Sequence, residues 1–136
     1  MLVTDLVNVR YLSGFTGSNA ALLVLAEHET PVLATDGRYR IQAAQQSPDA
    51  EVVIERACGP HLAARAAAWN VRRLGFESHV VTVDGHSILK KAAGETQLVR
   101  AAGYADVRTV LFDVEVTFAD VSASVALVGA PEAATT

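Results

Sequence analysis

The sequence predicts a single α/β domain in which helices cover both faces of one sheet. Apolar runs of strand length alternate with stretches of helix formers along most of the chain, the order expected of such a sheet. Apolar residues make up 51% of the 136 positions and charged residues 19%, a balance far from that of disordered chains. One domain is the default at this length, with roughly two-thirds of the unfolded surface buried on folding.

The elements follow in order. Leu2-Val3, closed by Thr4-Asp5, reads as the tail of a buried strand that lacks its beginning, and such an incomplete strand would leave a sheet edge open to another chain. Asn8 to Asn19, with Gly14, Gly17 and small hydroxyl residues, predicts a tight loop anchored by Tyr11 and Phe15. Ala20–Leu25 and Pro31–Thr35 are apolar runs separated by a polar connection of hairpin length, which predicts an antiparallel pair. Arg38 to Gln46 is rich in helix formers and stops at Ser47-Pro48, because a residue before proline is pushed out of the helical region. Glu51–Glu55 is the next strand. Beyond Gly59-Pro60, Leu62, Ala66 and Trp69 fall on one helical face and are expected in the core. Arg73–Glu77 is a further strand, Thr82 caps a helix through Lys91 that ends near Gly94, and Thr96–Ala101 is a short strand. From Leu111 the character changes: Phe112–Phe118 alternates briefly, and Ala119–Thr136 is rich in small residues. The expected organisation is a domain over 1–110 and a divergent Ala/Val-rich tail over 111–136.

Composition excludes several functions. A net charge of −4, with 11 basic residues in no dense run, gives no attraction to nucleic acid or to an anionic membrane. No apolar run reaches the roughly 18 residues of a membrane span, and the lone Cys58 forms no internal disulfide, so a cytoplasmic location is expected. His28, His61, His79 and His86 show no metal-ligand spacing and read as surface or capping residues. Cys58 with His61 could form a nucleophile pair, but a lone cysteine is more often a small core residue. Gly14-Phe15-Thr16-Gly17-Ser18 fits neither the phosphate-loop nor the dinucleotide pattern.

Three blocks in register carry more information: Asn8-Val-Arg-Tyr-Leu-Ser-Gly-Phe-Thr-Gly-Ser18, Ala34-Thr-Asp-Gly-Arg-Tyr39 with Gln42-Ala43, and Leu74-Gly-Phe-Glu77. In that order and spacing they resemble the N-terminal domain of the creatinase, prolidase and aminopeptidase P family, over roughly residues 2 to 110. The resemblance implies a three-layer α/β/α sandwich on a mixed sheet with a ribonuclease-H-like motif. Relative to the family, the first helix is expected to be missing. It also implies that Xaa-Pro peptide cleavage belongs to a C-terminal "pita-bread" domain, where two Asp, one His and two Glu hold two divalent ions, typically manganese or cobalt. No cofactor or metal is therefore expected in this chain, which is expected not to be an enzyme alone. Val107–Val110 resembles the lead into that catalytic domain, and the residues after it do not, which suggests a chain cut off before the metal ligands.

In the family this domain packs near the active-site mouth of its own or a neighbouring subunit. The resemblance thus makes Arg10, Tyr11, Phe15, Asp36, Arg38 and Tyr39 candidates for the substrate entrance or an oligomer contact. A purely structural role is the alternative: Phe15 and Tyr11 would staple the loop, and Asp36 with Arg38 would cap the following helix. Expected partners are a second copy of the chain or a peptidase catalytic domain or subunit. A module bound to an intact homologue, or an independent α/β enzyme with a polar pocket around Asp36, Arg38 and Tyr39, are the competing readings.

Overall fold

A computed structural model describes residues 1–101. Six strands form one mixed sheet: β1 (Leu2–Val3), β2 (Ala20–Leu23), β3 (Val32–Thr35), β4 (Glu51–Ile54), β5 (Arg73–Phe76) and β6 (Gln97–Arg100), in the spatial order β4-β3-β2-β1-β5-β6. Only β2 runs against the others, since it pairs antiparallel with β1 and β3 while β3–β4, β1–β5 and β5–β6 are parallel. The helices are α1 (Leu6–Ser13), α2 (Arg40–Gln46), α3 (Cys58–Ala68) and α4 (Val83–Ala93), with a single 3₁₀ turn at Gly37–Tyr39.

The strands are apolar at successive positions because each face has its own cover. Leu2, Ala21, Leu23, Val32, Ala34 and Leu74 pack with Leu62, Ala63 and Ala66 of α3 and Leu89 and Ala93 of α4. Val3, Ala20, Leu22, Val24 and Leu33 point to the opposite face, where Val9 of α1, Phe15 and Ala43 of α2 cover them. This is the three-layer α/β/α arrangement expected. Each fully buried leucine or valine is worth about 1.5–3 kcal/mol against exposure, so two covered faces make a short sheet stable.

The predicted strands and the antiparallel β2–β3 pair are present, as are α2, α3 and α4. Thr82 caps α4, its hydroxyl accepting from Gly85 N at 2.9 Å. Two expectations are corrected. The segment from Asn8 is not loop throughout: Leu6–Ser13 is helical, and the loop begins at Gly14. Asp5 starts this helix by accepting from Val7 N at 2.9 Å, and Gly14 ends it at φ 78°, its N–H bonding to Arg10 O. Val7 and Val9 are poor helix formers, so the element depends on burying Asn8, Val9 and Ser13 rather than on propensity. Second, β1 is not an exposed edge; Leu2 lies between Leu23 and Phe76, and among the described strands the edges are β4 and β6. Leu62 and Ala66 are fully buried, and Trp69, which packs against the same core as expected, is half-buried at the carboxyl cap of α3. There His28 stacks on it at 4.3 Å between ring centroids, and the Arg65 guanidinium lies 4.7 Å from the ring centre.

No helix among the described residues is long and apolar enough to cross a membrane. The tail expected over 111–136 lies outside the described residues.

Candidate functional site

The sheet directions put the carboxyl ends of β3 and β4 and the amino end of β2 at one end of the sheet. Asp36 follows β3 there, and Asn19 precedes β2. Asp36 begins the 3₁₀ turn, its carboxylate accepting from Arg38 N at 3.1 Å. The same carboxylate takes a two-pronged contact from the Arg38 guanidinium, Nε to Oδ1 and Nη2 to Oδ2, each at 2.9 Å. Asn19 Nδ2 donates to Oδ2 at 3.0 Å and also to Arg56 O at 3.2 Å, which joins the three strand ends. The Asp36 side chain is 11% exposed, whereas that of Arg38 is 67% exposed. A nearly buried anion thus holds an exposed cation in one orientation, the planar fork geometry that makes an arginine specific for carboxylates.

Tyr39 completes the group. Its hydroxyl is 2.6 Å from Ser18 Oγ, its ring lies under the Arg38 guanidinium at 5.0 Å, and Phe15 meets it edge-on at 5.6 Å. Gly17 permits this packing, since a Cβ there would stand 2.2 Å from Phe15 Cζ and 3.1 Å from Tyr39 Cγ. The loop is tied to α2 as well: Gln46 Oε1 accepts from Thr16 N at 2.9 Å, and Ser47 Oγ donates to Ser13 O at 2.8 Å.

The electrostatics follow from these contacts. Hydrogen bonds from Arg38 and then Asn19 hold the Asp36 carboxyl well below the usual carboxylate range, against the opposing effect of burial. Arg38 is pushed up in turn, by its hydrogen bond to Asp36 and by that residue's charge. The Ser18 hydroxyl pulls Tyr39 down. A lowered Asp36 contributes stability that is present above its unfolded value, near 3.9, and is lost as pH falls through the folded one. Asp36→Asn is therefore expected to flatten part of the acid limb of a stability–pH curve measured by urea unfolding; an unchanged limb would show that the pair contributes nothing.

Cys58 lies beneath the group and is structural. It is buried, and its thiol donates to Glu55 O at 3.1 Å. Burial, followed by the negative charge of Asp36, pushes it up to about 11. A raised thiol pKa disfavours the reactive thiolate, and His61 Nδ1 lies 3.8 Å from Glu55 Oε2. The raised value means that the stability linked to this thiol is intact below about 9 and lost as pH rises toward about 11. Iodoacetamide at pH 8 should label native protein far more slowly than urea-unfolded protein, and Cys58→Ala should soften the alkaline decline.

Of the six candidates, Phe15, Asp36, Arg38 and Tyr39 come together. Arg10 and Tyr11 do not: both are exposed on α1, and their side chains make no hydrogen bond or ring contact to the group. Sequence reasoning missed Ser18 and Asn19, although Ser18 ends a recognised block and Asn19 follows it, just before an apolar strand. The open depression of about 470 Å³ lined by Asn70, Arg72, Glu95 and Thr96 lies at the amino ends of β5 and β6, away from Asp36.

Among the described residues one trio, Asp5, Glu77 and His79, brings its ligand atoms within 4.8 Å of one another. Both Glu77 oxygens are already engaged: Oε1 accepts from Thr4 N at 2.6 Å and Asp5 N at 2.9 Å, and Oε2 from Asn8 Nδ2 at 2.6 Å. Glu77 is a fully buried clamp between the end of β5 and the start of α1. The sequence placed it on a strand and gave no sign of that role.

The profile of the Creatinase/Prolidase N-terminal domain family matches residues 1–110. The chain belongs to this family. This creatinase/prolidase N-terminal domain is 62% identical to the N-terminal domain of the cytoplasmic peptidase PepQ from Mycobacterium tuberculosis H37Rv, with a TM-score of 0.75 over 79% of this chain and 84% of that one. It is 28% identical to an Xaa-Pro aminopeptidase from Streptococcus pyogenes, with a TM-score of 0.69 over 78% of this chain and 80% of that one. The uncharacterized peptidase YqhT of Bacillus subtilis (strain 168) is 33% identical over 106 residues, covering 75% of this chain. The match spans only 29% of YqhT.

Proposed function

We propose that this creatinase/prolidase N-terminal domain is the accessory, non-catalytic domain of an Xaa-Pro peptidase. The surface around Arg38 lines the substrate entrance or the contact with a catalytic domain, its own or that of a neighbouring subunit. The observation that supports this most is the disposition of Asp36 and Arg38. A carboxylate that is itself nearly buried fixes a guanidinium that is mostly exposed. A cap alone would need only the Asp36-to-Arg38 backbone bond; the fork and the Tyr39 ring beneath it present the cation outward. Its remaining donors suit a carboxylate, whether a peptide terminus or an acidic side chain across an interface. In this reading the metal-assisted hydrolysis belongs to a catalytic domain, with two divalent ions held by that domain's own ligands.

The test is a chimera in which this domain replaces the N-terminal domain of a full-length Xaa-Pro peptidase. The isolated chain, folded by circular dichroism, should not turn over an Xaa-Pro dipeptide or an Xaa-Pro-Yaa tripeptide with manganese or cobalt, whereas the chimera should. Arg38→Ala in the chimera is expected to raise KM or weaken subunit association about tenfold, the loss of one charge-assisted contact. Turnover by the isolated chain, or a chimera indifferent to Arg38→Ala in both KM and assembly, would overturn the proposal.

A further inference from the structure

We draw no further inference here: the strongest candidate, the exposed apolar face that Leu6, Val7 and Tyr11 form on α1, carries nothing because nothing in the structure shows what covers it.

Discussion

Glu77→Ala is expected to lower the unfolding free energy by about 3–5 kcal/mol, since it leaves donors without their acceptor at a buried position. The carboxyl group is fully buried and receives three hydrogen bonds, from Thr4 N, Asp5 N and Asn8 Nδ2. Two of these donors are backbone groups at the entry to α1, where no intrahelical partner exists. An anion beside that helix start is favoured by the helix dipole as well. Because a domain of this size has about 5–15 kcal/mol in all, the loss is a large fraction of its stability. Glu77→Gln should cost less, about 1–2 kcal/mol, because one carbonyl oxygen still accepts while the new amide confronts the Asn8 amide. Urea unfolding with an unchanged slope decides the matter. An alanine variant as stable as the parent would mean that water serves these donors, and the clamp would then be without consequence.

Gly17→Ala should be the most damaging single-methyl change near the candidate site. The added Cβ would lie 2.2 Å from Phe15 Cζ and 2.6 Å from Cε1, distances at which one group must move. Phe15 is 1% exposed and part of the core under β2, so it has no free volume to enter. Overpacking of this kind costs about 1–3 kcal/mol. Its second effect is local. Phe15 supports the Tyr39 ring edge-on, and that ring lies beneath the Arg38 guanidinium, so displacement of Phe15 disturbs the presentation of the cation. In the chimeric peptidase Gly17→Ala should therefore shift KM or assembly in the same sense as Arg38→Ala. Gly14→Ala should cost a similar amount of stability, about 1–2 kcal/mol, because φ is 78° there. It should leave the Arg38 phenotype unchanged, which separates general destabilisation from the local effect.

Local chemistry made the described strands, the helices α2, α3 and α4 and the two-sided burial legible before folding. Runs such as Ala20–Leu25 and Pro31–Thr35 have no polar face to offer water, so they belong in a sheet covered on both sides. Asp36, Arg38 and Tyr39 were legible for a similar reason: they are sequence neighbours at the end of a strand, and a short turn brings them together. The rest depends on contacts between distant segments. β1 is two residues long and reads as a remnant, yet it occupies the middle of the sheet because Leu23 and Phe76, from distant segments, bracket Leu2. α1 was hidden because Val7, Asn8, Val9 and Tyr11 are weak helix formers and its start is held by Glu77, 69 positions away from Asn8. Asn19 and Ser18 gained their roles from the antiparallel return of β2, which sets them beside Asp36 and Tyr39. Propensity and hydrophobic period act over a few residues; acceptors, caps and ring contacts supplied from across the sheet exist only once the chain has closed on itself.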